Sequence, residues 1–155
     1  MLIVPVPVKL PTKDSVVRLE CGQAHTLALT NSGQVFSLGS NAFGQCGRAV
    51  IENEDYFRSQ VIHQVKVNLE DNDIICDIEC GINHSLCRTR AGKLYSWGWS
   101  ADGQTGLGHY DNQETPQRVK GDLETENIVK VTCVADCVLA LNGKNVCNSP
   151  RKSGK

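Results

Sequence analysis

The chain has 155 residues, enough for one domain with a sizeable core, and its 40% hydrophobic and 21% charged residues exclude a disordered or a membrane-embedded composition. Sixteen Lys and Arg residues against 17 Asp and Glu residues give a net charge of −1. This balance lacks the basic surplus that is typical of nucleic-acid-binding proteins, so we expect no direct nucleic-acid contact.

The first eleven residues are apolar but are interrupted by Pro5, Pro7 and Pro11. They have neither the basic start and cleavage site of a secretory signal nor the Arg- and Ser-rich character of a mitochondrial transit peptide. No apolar run approaches the ~20 residues that a transmembrane helix needs, so we predict no transmembrane segment. The eight cysteines fall below the ~8–10% that marks a disulfide scaffold, and we interpret them as reduced and mostly buried.

Short segments rich in β-branched and aromatic residues begin at residue 16 and continue along the chain. Each has five to seven residues with partial alternation, which is typical of strands, and no window shows a helical period. Gly33 and Gly92 close two short connections and supply the positive φ that a tight hairpin requires. The predicted strands are 16–21, 25–30, 35–39, 74–80, 84–89 and 93–98.

The sequence repeats itself at a spacing of 59 residues. Without a gap, residues 21–47 align with residues 80–106, from the two Cys-Gly pairs to "GQCG" and "GQTG". A match of this length and register indicates an internal repeat. Three or more short strands per unit favour a β-propeller or a β-solenoid, and the long unit fits a four-stranded blade with one long loop. We therefore predict an all-β fold, a partial β-propeller.

A third copy begins near residue 128 but is degenerate. Cys133 takes the position of Cys80, Cys137 takes the histidine position, and no aromatic-Gly or Gly-Gln segment follows Lys144. Two whole and two partial units cannot close a ring, so we expect the chain to be a fragment or short form of a larger protein. The predicted organisation is the end of a preceding repeat at 1–14, whole repeats at 15–72 and 73–127, the start of a third repeat at 128–146, and an unstructured basic tail at 147–155.

The stretch "CGQAHTLALTNSGQVFSLGSNAFGQCGR" at 21–48 resembles the regulator of chromosome condensation (RCC) repeat, and the likeness extends over about 4–144. The resemblance implies a seven-bladed β-propeller. Leu38 departs from the pattern where the family has Trp, whereas Trp97 keeps it. The residues that carry the repeat motif are Cys21, Gly22, His25, Gly39, Gly44, Gln45, Gly47, Cys80, Gly81, His84, Trp97, Gly98, Gly103, Gln104 and Gly106.

Two further stretches resemble a mitochondrial branch of this family that is named as guanine-nucleotide-exchange-factor-like. They are "SNAFGQCGRAVIENE" at 40–54 and "WSADGQTGLGHY" at 99–110, and the general repeat does not require either ending. The branch implies a mitochondrial location. It also implies exchange activity on a dynamin-like GTPase of mitochondrial fusion, or a role in assembly of the large mitochondrial ribosomal subunit.

The recurring Cys-x3-His spacing has a zinc-binding and a structural interpretation. Matched positions in successive units lie a blade apart, and Cys137 replaces the histidine in the third copy, so we favour a structural role and predict no metal and no cofactor. We expect Cys21 and Cys80 to be buried beside a glycine, and His25 and His84 to form hydrogen bonds within or between blades. A Cys–His nucleophile is the corresponding enzymatic alternative, but a catalytic pair in every copy would be unusual.

Three functions remain open: an exchange factor that acts by binding a GTPase, a scaffold without exchange activity, and an enzyme with Cys or metal chemistry. Exchange needs no covalent step, because a factor that prefers the nucleotide-free GTPase lowers its affinity for nucleotide. We therefore predict a protein partner and no covalent catalysis. The loop residues expected to contact that partner are Arg48, Glu52, Asn53, Glu54, Asp102, His109, Tyr110 and Asp111.

Overall fold

The computed structural model describes residues 7–54, 61–144 and 147–148, and these fold into three antiparallel sheets in chain order. Blade 1 contains β1 (Val16–Cys21), β2 (His25–Thr30), β3 (Val35–Gly39) and β4 (His63–Val65), paired in that order. Blade 2 contains β5 (Ile75–Cys80), β6 (His84–Thr89), β7 (Leu94–Gly98) and β8 (Gln113–Arg118). Blade 3 contains β9 (Ile128–Val134), β10 (Cys137–Asn142) and β11 (Cys147–Asn148), with β10 in the middle.

The sheets are blades of a partial β-propeller, as the sequence predicts. The six predicted strands are all present, and two of them begin one residue later than expected, at Ile75 and Leu94. The strand connections at Gly33 and Gly92 adopt φ of 84° and 76°, which confirms the left-handed hairpin turns. Across the described residues the one helical element is a short 3-10 turn at Gly121–Leu123, and no helix there is long and apolar enough to span a membrane.

The hydrophobic core lies between blades rather than within one blade. One face of blade 1 contributes Leu27, Leu29 and Val35, and they pack with Ile78 and Trp97 of blade 2. The seam between blades 2 and 3 repeats this arrangement with Leu86, Leu94, Val119, Val131 and Val138. The repeat therefore matches the unit of packing, since each blade buries its faces only against its neighbours.

The structure describes only parts of the predicted end segments at 1–14 and 147–155. Residues 7–14 form no strand, and residues 1–6 lie outside the described part of the protein. Cys147–Asn148 pairs with Ala140 and Leu141 of β10, so these two residues of the predicted unstructured tail extend blade 3. They pair with the edge of β10 that lies opposite β9. Residues 149–155 also lie outside the described residues.

Candidate functional site

All three blades place their first connection at the same end of the sheets, and we call this end the loop face. It contains the β1–β2, β5–β6 and β9–β10 turns and the long β3–β4 and β7–β8 loops. Successive turns are joined by backbone hydrogen bonds, from Gln23 N–H to the Ile82 carbonyl at 3.0 Å and from Ile82 N–H to the Ala135 carbonyl at 3.0 Å. The loop face is thus a continuous surface across the three blades.

The repeated Cys-Gly-x-x-His motif shapes these turns. The His25 ring lies over Gly22 and the His84 ring over Gly81, so that a Cβ at either glycine would overlap the ring. Both glycines are required by this close approach of the histidine, and Gly22 also by the Gly81 carbonyl of the next blade, which would lie 2.6 Å from such a Cβ. Gly39 and Gly98 instead adopt φ of about 100° and 101°, and a side chain at Gly39 would collide with the Ala24 carbonyl.

The two signature histidines are buried but differ in their hydrogen bonds. His25 Nε2 lies 2.9 Å from Ser85 Oγ across the seam between blades 1 and 2, which confirms an inter-blade role. The same prediction is wrong for His84, whose two ring nitrogens have no hydrogen-bond partner among the described residues. The cause is in blade 3, because Val138 stands where Ser85 stands in blade 2. Burial, which disfavours the imidazolium, lowers the pKa of both histidines to about 4.

The signature cysteines are not uniformly buried. Cys21 is exposed because its face of β1 has no blade beside it among the described residues, and its Sγ lies 3.5 Å from Thr26 Oγ1. Cys80 is half-buried, and burial raises the pKa of its thiol strongly. A thiol with a raised pKa is a poor nucleophile and a poor metal ligand. No group of three or more potential ligands that could hold a metal ion occurs in the described part of the chain.

An ion-pair network crosses the inner strands. Arg18 on β1 contacts Asp77 on β5 at 2.6 Å and Glu79 on β5 at 2.5 Å. The other carboxylate oxygen of Glu79 accepts a hydrogen bond from the Cys133 backbone N–H at 3.2 Å. Glu79 therefore connects all three blades, and burial, which penalises its charged form, raises its pKa. This network explains the polar residues at otherwise apolar strand positions.

Buried side-chain hydrogen bonds hold residues 41–49, the first part of the β3–β4 loop. The Asn41 side chain accepts from the Cys46 N–H at 2.9 Å and donates to the carbonyls of Arg48 and Ala49 at 3.1 and 3.0 Å. The Gln45 side chain accepts from the Phe43 N–H at 2.8 Å. Buried, satisfied polar groups of this kind fix a single loop conformation.

Blade 2 supports the same loop from the other side of the seam. The Gln45 carbonyl accepts hydrogen bonds from Ser85 Oγ at 2.8 Å and Trp97 Nε1 at 2.9 Å. The β7–β8 loop repeats the contact of the Gln45 side chain, since the Gln104 side chain accepts a hydrogen bond from the Asp102 N–H at 3.0 Å. These contacts assign a structural role to the Gly-Gln positions of the repeat.

The two long loops touch each other. The rings of Phe43 and Trp99 lie with centroids 6.3 Å apart, and the Val50 N–H approaches Glu114 Oε2 at 3.3 Å. Sequence reasoning did not single out these four residues. The exposed "RAVI" run was the one available sign, since β-branched residues at a loop tip need a reason to be there.

The eight residues predicted to contact a partner all lie in these loops, but only some point outward. Arg48 and Glu54 form a partly buried ion pair at 2.5 Å, which ties the loop to itself. His109 is half-buried, and its carbonyl accepts a hydrogen bond from Ser100 Oγ at 3.3 Å. The side chains at the surface are those of Glu52, Asn53, Asp102, Tyr110 and Asp111, with Asn53 in a left-handed turn at φ 60°. Their contact with a partner stays a prediction.

Comparison with known proteins identifies the repeat. The model of the regulator of chromosome condensation (RCC1) repeat matches residues 32–88 and 91–141, and a second model of the same repeat matches 16–45 and 75–104. The "RCC1-like G exchanging factor-like protein" of Mus musculus is 44% identical over 139 residues, which are 90% of this chain and 30% of that protein. The chain thus spans less than a third of the length of this relative.

Solved structures agree with the sequence comparison. The structure described as human WBSCR16 has a TM-score of 0.86 and 41% identity, over 92% of this chain and 36% of that one. Yeast RCC1 (Prp20), solved bound to Kap60, has a TM-score of 0.74 and 25% identity, over 92% of this chain and 31% of that one. The three-bladed arrangement described above is therefore an arc of the fold that these proteins share.

Proposed function

The chain belongs to the regulator of chromosome condensation (RCC1) repeat family, and from that membership we propose that it is the partner-binding part of a mitochondrial, exchange-factor-like protein. The observation that carries the proposal is the 44% identity to a relative named as RCC1-like G-exchanging-factor-like. The two loop sequences that resemble the mitochondrial branch lie together on the loop face. Location and partner are both inferences from this likeness.

The architecture suits binding rather than covalent chemistry. Rigid blades carry the long loops, and binding residues are commonly found on loops that a rigid scaffold positions. Burial, which disfavours the thiolate, raises the pKa of the Cys80 thiol and raises that of Cys133 to about 12. An exchange factor needs only a preference for the nucleotide-free state of its partner, and the coupling between factor and nucleotide is reciprocal.

A nucleotide-release assay tests the proposal. A dynamin-like GTPase of mitochondrial fusion is loaded with a fluorescent GDP analogue, and release is followed after excess unlabelled nucleotide is added. We expect the 155-residue chain to accelerate release in a saturable way, whereas an equal amount of an unrelated protein does not. Binding without acceleration would contradict exchange and favour a scaffold function. The absence of both binding and acceleration would refute this GTPase as the partner.

A further inference from the structure

The tips of the two long loops expose apolar side chains. Ile51 is 58% exposed, Tyr110 51% and Val50 37%, although the loops already bury Phe43 and Trp99 partly against each other below. Hydrogen bonds of the Asn41 and Gln45 side chains hold residues 41–49 of the β3–β4 loop, which lead directly to Val50. Apolar side chains presented on rigid loops are typical of a protein-binding surface.

In the described parts of these loops, the exposed charged side chains are all carboxylates. One of the neighbouring carboxylates, that of Glu114 at the start of β8, lies 3.3 Å from the Val50 N–H of the β3–β4 loop. Arg48 is the one Lys or Arg within 40–54 and 99–114, and it is engaged with Glu54. The opposite end of the blades is mixed instead, since exposed Lys66 and Lys120 alternate there with acidic residues. The exposed carboxylates at this end are Glu52, Asp102 and Asp111 of the loops and Glu114 at the start of β8.

We propose that Val50, Ile51, Glu52, Tyr110, Asp111 and Glu114 form a docking surface for a basic protein segment that carries an apolar anchor residue. The inference rests on the protein-binding function proposed above and specifies the chemistry of the partner. The apolar tips would be buried by the anchor, while the carboxylates meet Lys or Arg side chains around it. The same charges repel nucleic acid and anionic membranes, so a basic protein segment is the occupant that the surface selects.

The probe is a fluorescein-labelled peptide that alternates Arg with Leu, and binding to the 155-residue chain is followed by fluorescence anisotropy. We expect the peptide to bind. Its affinity should fall as ionic strength rises towards ~0.15 M, because screening reduces the attraction between exposed charges. A matched peptide with Glu in place of Arg should not bind, and one with Ser in place of Leu should bind about tenfold more weakly because it lacks the apolar anchor. Equal binding of the Arg and Glu peptides would overturn the proposal.

Variants locate the binding on the chain. The double variant Ile51→Ser with Tyr110→Ser removes two of the apolar side chains. It should lower the affinity for the Arg–Leu peptide about tenfold. The double variant Glu52→Gln with Asp111→Asn removes two carboxylate charges beside the apolar tips. It should lower the affinity for the Arg–Leu peptide about three- to tenfold at low salt. The control pair Asp122→Asn with Glu124→Gln neutralises two exposed acids at the opposite end and should leave affinity unchanged. Equal effects of the two charge pairs would show a general charge attraction and overturn the assignment.

Thermal melts establish that each variant is folded before binding is compared, and all six replaced side chains are exposed. The two proposals fail separately. If the GTPase binds and the loop variants do not change its affinity, the docking surface is wrong and the partner stands. If the Arg–Leu peptide binds at the loops and the GTPase does not, the docking surface stands and the partner is wrong.

Discussion

At the scale of single residues, the glycine of the repeat motif is explained by a steric requirement: the histidine ring occupies the space of a Cβ. Gly22 and Gly81 each lie under a buried histidine ring, and neither has the positive φ that would itself demand glycine. The absence of a Cβ is what allows the ring to approach the turn. A motif that resembles two halves of a zinc site is therefore explained by packing.

Replacing Gly81 tests this explanation. We expect Gly81→Ala to lower the free energy of unfolding by about 1–3 kcal/mol, since the new methyl group must displace the buried His84 ring. Gly143→Ala is the matched control, because the nearest atom to its Cβ would be Val129 Cγ1 at 3.8 Å. Urea denaturation of both variants makes the measurement. An equal loss in the two variants would show that the effect is one of chain flexibility rather than of the histidine.

The buried histidines also predict a pH dependence. The pKa of His25 and of His84 is about 4 in the folded chain and about 6.5 when unfolded, so the unfolded state binds more protons in between. Stability contributed by the neutral rings is complete above pH ~6.5 and is lost as the pH falls towards ~4. By pH ~5 the loss should be about 2 kcal/mol per histidine.

Urea midpoints at several pH values between about 5 and 7.5 give this dependence, with the window set by the histidine pKa. In the variant His84→Gln, the free energy of unfolding should change with pH about half as steeply as in the wild-type chain. This holds whatever the stability of the variant at neutral pH. An unchanged slope would mean that His84 titrates normally in the folded chain.

At the scale of elements, the sequence is informative about strands and much less so about loop tips. The alternation within "HTLALT" and the hairpin glycines locate β2 and its turn, because a period of two residues is typical of a strand. Arg48 and Glu54 look like free charges in the sequence, yet the loop folds so that they pair with each other. Phe43 and Trp99 meet only through the packing of two blades, a contact that no local pattern encodes.

The inner strands provide an element-level prediction. Arg18→Met removes the cation that contacts Asp77 and Glu79, and leaves two largely buried carboxylates with less compensation. Because the Arg18 side chain is itself 37% exposed, we expect a loss of about 1 kcal/mol, which is larger at low salt. Arg90→Met, at an exposed position, is the control. Urea unfolding at two salt concentrations measures both, and a loss independent of salt would contradict an electrostatic role.

At the scale of the whole molecule, blades 1 and 3 each leave one face uncovered among the described residues. Leu19 on β1 is 63% exposed, whereas Ile78 at the equivalent position of blade 2 is 0% exposed. Leu139 on β10 is 46% exposed, whereas its equivalent Leu86 is 1% exposed. Each exposed face carries apolar side chains at positions that are buried at the two seams between blades. A further blade-like surface packed against it would therefore bury these side chains.

These faces predict self-association of the isolated chain. We expect the 155-residue chain to form species larger than a monomer as its concentration rises, and Leu19→Ser to reduce them without lowering the melting temperature. The control Val8→Ser changes an equally exposed side chain (61%) that lies outside the strands. Size-exclusion chromatography with light scattering makes the measurement. A wild-type chain that stays monomeric at all concentrations would contradict the expectation.

We expect the loop face to bind a protein partner in a nucleotide-dependent way. Titration calorimetry of the 155-residue chain with the dynamin-like fusion GTPase, prepared nucleotide-free and GTP-loaded, tests this expectation. Binding to the nucleotide-free form should be tighter, and it should be lost when Ile51 and Tyr110 are both replaced by Ser. Equal affinity for the two forms, or binding that the loop variant leaves unchanged, would contradict it.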